Sequence, residues 1–267
     1  MANTATLRAG APKPGDGYVQ SFARGLEVIR SFSASAPHQT LSEVAERSGL
    51  SRAGARRILL TLETLGYVIS DGKLFSLTPR ILDLGFAYLS SMPIWNLAEP
   101  VMQALVVEVR ESCSAAVLDG TDIVYVLRVP THKIMSISLG IGSRLPAYCT
   151  SMGRMLLSAL PEPAIRQCIE NSDRQARTRH TVTDVDALLG CIAQVRQQSW
   201  CLVDQELEEG LVSLAAPITN RGGQTIAALN ISGQANRTSA SVMQQMMLPQ
   251  LLEAAAVISR MLSVKQL

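Results

Sequence analysis

Two groups of residues in this 267-residue chain carry chemistry. In the first, Arg52, Arg56 and Arg57 fall in the first two turns of an expected helix whose opposite side is Ala55, Ile58, Leu59 and Leu62. Arginines placed there grip phosphate or fork onto a guanine edge, with Ser51 and Ala53 near the same groove. A solvated arginine face is the plainer reading of such a helix taken alone. In the second group, the run Gly140-Ile141-Gly142-Ser143-Arg144-Leu145-Pro146-Ala147-Tyr148-Cys149-Thr150-Ser151-Met152-Gly153-Arg154 leads a glycine-relieved loop into a helix start. Free backbone N–H groups and the hydroxyls of Thr150 and Ser151 then suit an anion, and Arg144 and Arg154 flank it. A carboxylate is the fitting guest, although a helix capped by its own hydroxyl accounts for the same residues.

Two further stretches could complete a site. The acids of 204–209 (Asp204, Glu206, Glu208, Glu209) read as a solvated loop, yet they enter an apolar strand and could aim one acid or Ser213 into a cavity. Asn230 and Ser232 interrupt another apolar strand, where a buried polar group needs a partner from backbone or ligand.

Other chemistries are poorly supplied. The five cysteines are scattered with no Cys-x-x-Cys pair, and His38, His132 and His180 have no ligand-like spacing, so neither a disulfide framework, a metal site nor a cofactor is expected. A thiol hydrolase built on Cys149 would need a base within reach, and no histidine has an evident companion, so the chain does not read as an enzyme. Hydrophobic residues make up 47% and charged residues 17%, with no apolar run near the roughly 18 residues that span a bilayer and no signal-peptide order. A cytoplasmic protein without membrane contact is expected. The net charge of +2 does not itself suggest nucleic acid; the placement of charge does.

The elements that position these residues follow from caps and periodicity. Residues 1–17 are polar and rich in Gly and Pro and read as a disordered tail. Ser21 is expected to cap a helix with Phe22, Leu26, Ile29 and Phe32 inward, and Pro37 and His38 mark the loop after it. Thr40 with Glu43 forms a capping box, Leu41, Val44 and Ala45 give the helix an apolar face, and Gly49 ends it. Ser51 caps the arginine helix, in which Leu65 continues the apolar stripe. Gly54 is unusual there, costing up to about 1 kcal/mol relative to Ala. After Gly66, residues 67–70 and 73–77 around Asp71-Gly72 form a hairpin carrying Lys73, the wing of a winged helix-turn-helix over 18–78. Thr78-Pro79 starts a linker helix over 79–92 that is apolar on more than one side, so pairing with its twin from a second subunit is expected.

The remainder, 93–267, is expected to be an α+β domain with an antiparallel sheet. Asn96 with Glu99 opens a helix to about Arg110, lined by Leu97, Val101, Leu105 and Val109. Strands follow at 114–118, 123–129 and 135–139, then helices at 151–160, 163–170 and 186–199. Strands near 200–203, 212–217 and 225–232 precede a closing amphipathic helix over 239–262.

Tyr67 through Leu77, behind a helix-turn-helix, resembles the N-terminal domain of IclR-type transcriptional regulators. The runs Arg128-Val129-Pro130, Gly142 through Arg154 and Ala215-Ala216-Pro217-Ile218 resemble the effector-binding domain of the same family, which is GAF-like, and the likeness extends from Tyr18 to the last helix. The first two runs are most similar to the branch controlling aromatic-acid catabolism, which includes protocatechuate, 4-hydroxybenzoate and β-ketoadipate regulators. The resemblance implies a homodimer or dimer of dimers on double-stranded DNA, switched by a small organic acid. The DNA contacts expected from the placement of these residues are Ser42, Ser51, Arg52, Ala53, Arg56, Arg57 and Lys73. It places the effector among Tyr148, Thr150, Ser151, Met152 and Gly153 on one side and Asp204, Glu206, Leu211, Ser213, Asn230 and Ser232 on the other, with Arg128 and Arg144 as charged candidates. Ser213 stands where some members have Cys, and Asn230 where they have Ser. A second domain that only oligomerises is the alternative.

Overall fold

The computed structural model describes residues 15, 17–91, 94–131 and 139–264, which fall into two compact units divided between 91 and 94. The expected tail over 1–17 and the strand expected at 135–139 lie largely outside the described residues.

In the first unit, α1 (Gln20–Arg30) starts from Val19, two residues before the expected cap, and Ser21 lies inside it. Its inward residue is Val28, with Ile29 and Phe32 beside it, while Phe22 is 68% exposed. Leu26, Ile29 and Phe32 of the expected stripe are half-buried, and the packing of α1 on its neighbours sets Val28 at its centre and leaves Phe22 outside. β1 (His38–Thr40) occupies the expected loop and pairs with the wing. No apolar alternation marks it. Pairing and Gln39 hold it, the buried Gln39 amide donating to the carbonyls of Ser31 and Ala36.

The Thr40 and Glu43 capping box then opens α2 (Leu41–Arg47), and Gly49, at φ +66°, makes the left-handed turn toward the next helix. Ser51 caps α3 (Arg52–Thr64) by accepting from the Gly54 amide, and Ala55, Leu59 and Leu62 are buried. Leu65 leaves the stripe and is 51% exposed. β2 (Val68–Ser70) and β3 (Leu74–Leu77) form the wing, with Asp71 Oδ1 accepting from the amides of Lys73 and Leu74, and the sheet order is β1-β3-β2. Thr78 caps a short 3-10 turn at Pro79 that runs into α4 (Leu82–Ser90). No residue of α4 is buried, and Leu82, Leu84, Phe86 and Tyr88 are exposed.

In the second unit, α5 (Ile94–Val109) is already helical at Ile94, so Asn96 lies in its first turn and not at its cap. Its buried side is Ile94, Trp95, Ala98, Met102, Leu105 and Val109, with Leu97 and Val101 at the margin. The sheet is built from β4 (Ser112–Asp119), β5 (Asp122–Val129), β6 (Arg144–Pro146), β7 (Cys201–Asp204), β8 (Leu211–Thr219) and β9 (Thr225–Gln234). Its order is β6-β5-β4-β9-β8-β7 and every pairing is antiparallel. The β6 edge stands where a break after Gly142 was expected.

α6 (Ser151–Leu157) packs across the sheet against β4, β8 and β9, backed by α7 (Glu162–Asn171) and α8 (Val185–Gln198). α5 and the last helix also pack on the sheet. Successive residues of β8 and β9 alternate in direction, yet Ser213 through Ala216 and Ala228 through Ile231 are all buried, so both faces are covered. The closing helix, capped by Ser239, comprises α9 (Ala240–Val242), a π-helical turn (Met243–Met247) and α10 (Leu248–Val264).

Candidate functional site

Two surfaces gather the residues marked by sequence. On α3, Arg52, Ala53, Arg56 and Arg57 are exposed while Ala55 and Leu59 beneath them are fully buried. Among the described residues none of the three guanidinium groups makes an ion pair or a side-chain hydrogen bond. Ser42 is exposed at the start of α2 and Lys73 at the tip of the wing. The far end of α3 is fastened by a residue that sequence spacing missed. Arg80 Nη1 donates to the Leu65 carbonyl at 2.9 Å, and its guanidinium lies 5.7 Å from the centre of the Tyr67 ring. A distant arginine closing a helix end leaves no local signal.

In the second unit, a pocket of about 330 Å³, counting the part open to solvent, lies between the start of α6 and the sheet. Its wall includes the expected Thr150, Ser151, Met152, Leu211, Ser213, Asn230 and Ser232. It also includes Tyr125, which sequence reasoning did not mark, and Cys149, Val203 and Leu207, which lie in the two stretches singled out at 140–154 and 203–213 but are not among the contacts expected there. Tyr125 belongs to the wall because β5 runs beside β4 with its alternation phased by a bulge at Ala115/Ala116. That register has no signature in the strand's own residues.

The polar groups of the wall are differently engaged. Thr150 spends its hydroxyl on backbone, donating to the Pro146 carbonyl at the end of β6 and accepting from the Gly153 amide of its own helix. Asn230 bridges strands, its Oδ1 accepting from the Ser114 amide at 3.1 Å and its Nδ2 donating to Ser232 Oγ at 2.9 Å. Ser232 therefore still has a proton to donate. Among the described residues the hydroxyls of Ser151 and Ser213 make no hydrogen bond. Burial pushes the Cys149 thiol up to about 11, so it is protonated at neutral pH. Among the described residues no group of His, Cys, Asp and Glu could hold a metal ion, and no helix is long and apolar enough to cross a membrane.

Six expected contacts stand outside the wall. Arg144 is tied at the surface to Asp119 at 2.6 Å and Asp122 at 3.2 Å. Arg128 is half-buried on β5 opposite Ser114. Tyr148 is buried and its hydroxyl donates to the Gln175 carbonyl at 2.7 Å, away from the pocket. Gly153 contributes close packing, since a Cβ there would stand 2.2 Å from the Ala147 carbonyl oxygen. Asp204 is exposed. Glu206 is buried and bound by Arg154 through two hydrogen bonds of 2.6 Å, and the Val182 amide donates to Glu206 Oε2 at 3.0 Å. The acidic loop thus turns one carboxylate inward to hold the pocket wall together, and Arg154, expected to flank an anion, already has one.

Comparison with known proteins agrees with this layout. Residues 21–72 match the IclR helix-turn-helix domain, and residues 86–260 match the bacterial transcriptional regulator IclR C-terminal domain. The chain is 45% identical over 239 residues to the Pca regulon regulatory protein of Pseudomonas putida, covering 89% of this chain and 82% of that one. It is 36% identical to the p-hydroxybenzoate hydroxylase transcriptional activator of Acinetobacter baylyi, covering 89% and 90%. The crystal structure of an IclR homolog from Microbacterium hydrocarbonoxydans complexed with 4-hydroxybenzoate is similar with a TM-score of 0.78 at 25% identity, covering 91% of this chain and 98% of that one.

Proposed function

The chain belongs to the IclR family of bacterial transcriptional regulators, and we propose that the effector controlling it is an aromatic carboxylate or a catabolite of one. It is a DNA-binding regulator under effector control, of the type that governs aromatic-acid catabolism. The observation that carries the choice of effector is the make-up of the pocket. Met152, Val203, Leu207, Leu211 and Tyr125 offer apolar walls to a ring, while the hydroxyls of Ser151, Ser213 and Ser232 supply hydrogen bonds for polar substituents. The names of two relatives, one a p-hydroxybenzoate hydroxylase activator and one a 4-hydroxybenzoate complex, support the same class.

In this reading Arg52, Arg56 and Arg57 enter the major groove with Ser51 and Ala53, while Ser42 and Lys73 meet phosphates. The exposed apolar residues of α4 pair with a second copy, giving a homodimer or a dimer of dimers in the cytoplasm that presents two or more winged helices to adjacent half-sites. The effector acts without being turned over, by its differential affinity for arrangements that do and do not match the operator.

A thermal-shift panel of benzoate, 4-hydroxybenzoate, protocatechuate, terephthalate and β-ketoadipate tests the effector class. A ligand at about 100 times its Kd adds roughly 2.7 kcal/mol. A shift with one or more of these acids is the expected result, and no shift with any of them overturns the assignment.

A further inference from the structure

Among the described residues the wall of the pocket holds no charged side chain. The arginines first associated with the site are committed, Arg154 to Glu206 and Arg144 to Asp119 and Asp122. A carboxylate seated in the pocket is therefore held by neutral donors. Where it sits depends on which polar groups of the wall are fixed as donors, because a carboxylate can only accept.

At one end of the pocket the backbone makes that choice. Asn230 and Ser232 are two residues apart on β9, so their side chains leave the same face of the sheet, and both line the pocket. The Ser114 amide of β4 can only donate, and it meets Asn230 Oδ1 at 3.1 Å. The nitrogen of the Asn230 side chain must then lie on the other side, where Nδ2 donates to Ser232 Oγ at 2.9 Å. Asn230 is 4% exposed, so these two partners, and not solvent, set its orientation. Ser232 Oγ is thereby an acceptor toward Asn230, and its own proton has no acceptor among the described residues. The second hydrogen of Asn230 Nδ2 is also unspent among them. A backbone N–H thus sets, through two hydrogen bonds, the polarity of this end of the pocket, which presents hydrogens. Ser213, opposite Ser232 on β8, has a hydroxyl that nothing holds and carries no such preference.

We propose that Asn230 is a positioning residue that fixes Ser232 as a donor and so makes their end of the pocket the seat of the effector's carboxylate, taking acceptor oxygens and rejecting donor groups of the same shape. The assignment rests on the aromatic-acid reading above. A serine at position 230, as in some family members, would leave the polarity open, because a hydroxyl both donates and accepts.

The test is calorimetric titration of the full-length protein with 4-hydroxybenzoate and with 4-hydroxybenzamidine, in which donor nitrogens replace the two acceptor oxygens of the acid. Wild type is expected to bind the acid and to take the amidine roughly tenfold more weakly. S232A should lose about tenfold in affinity for the acid and nothing for the amidine. N230D keeps an oxygen for the Ser114 amide but draws the Ser232 proton to itself, so in the N230D background S232A should no longer cost acid affinity. N230A adds no charge and frees Ser232 to turn, so it should narrow the preference for the acid, and it decides the role of Asn230 if N230D does not fold. Unchanged acid binding by S232A overturns the seat while leaving the aromatic-acid reading in place. The same S232A loss with and without N230D, or an N230A that weakens both probes equally, overturns the positioning role, because Asn230 then only supports the wall. A wild type that prefers the amidine overturns the proposal outright. If wild type does not bind 4-hydroxybenzoate the proposal also falls, and the panel above decides whether the aromatic-acid reading falls with it.

Discussion

Arg154 Nη1 and Nη2 each meet one oxygen of Glu206 at 2.6 Å, joining α6 to the loop between β7 and β8 across 52 residues of sequence. Both side chains are at least nine-tenths buried. Arg154 Nε also donates to the Tyr148 carbonyl, so a single guanidinium ties the turn before α6 to the loop that carries Leu207. Removing one partner leaves a buried, uncompensated charge, which costs about 3–5 kcal/mol. We expect Glu206→Ala to show a loss of that order in urea denaturation. The double variant Arg154→Met/Glu206→Leu should cost much less than the two single changes together, and full additivity would contradict the pairing.

Gly153→Ala places a methyl group 2.2 Å from the Ala147 carbonyl oxygen and 2.3 Å from its Cα. Backbone, not a flexible side-chain end, would have to move, so the cost should reach or exceed the roughly 3 kcal/mol upper range of ordinary overpacking. Thermal unfolding should show a destabilised second unit, and limited proteolysis should find the DNA-binding unit still folded.

Arg56→Ala should weaken operator binding and lower the slope of log K against log salt by about one if the guanidinium sits on a phosphate. If it forks onto a guanine instead, the slope should hold while discrimination at one base pair falls by about 1–3 kcal/mol. Unchanged binding across a salt series would remove Arg56 from the interface.

Alkaline pH should destabilise the second unit. Burial raises the thiols of Cys149 and Cys168 to about 11 and that of Cys201 to about 12, against an ordinary 9.0, and raises Cys113 further still. Between pH 9 and 11 the unfolded chain has released these protons while the folded chain keeps them. The folded state binds more protons in that window, so stability falls as pH rises through it and is unaffected below it. Denaturation midpoints at pH 7.5, 9 and 10.5 should decline only beyond pH 9, and Cys201→Ser should make the decline shallower.

Much of the first unit was legible because its signals are local. Thr40 and Glu43 lie three residues apart and Ser51 sits three before the amide it accepts from, so caps and turns can be read from spacing. The rotation of α1 and the strand at His38 were not legible, because each depends on a partner surface that the segment does not contain. In the second unit the positions of most strands and most pocket residues near α6 and β9 could be marked from interrupted apolar runs. Tyr125 could not, since it faces inward through a neighbouring strand's register.

The sequence by itself determined the class of the protein, because capping boxes, hydrophobic periods and the arginine phase on α3 act over one or two helical turns. Only the tertiary structure decided which charges are available to a ligand. An ion pair forms wherever folding brings opposite charges together, whatever their separation along the chain, and so Arg144, Arg154 and Glu206, which read as site residues in the sequence, are engaged with partners 22 to 52 residues away.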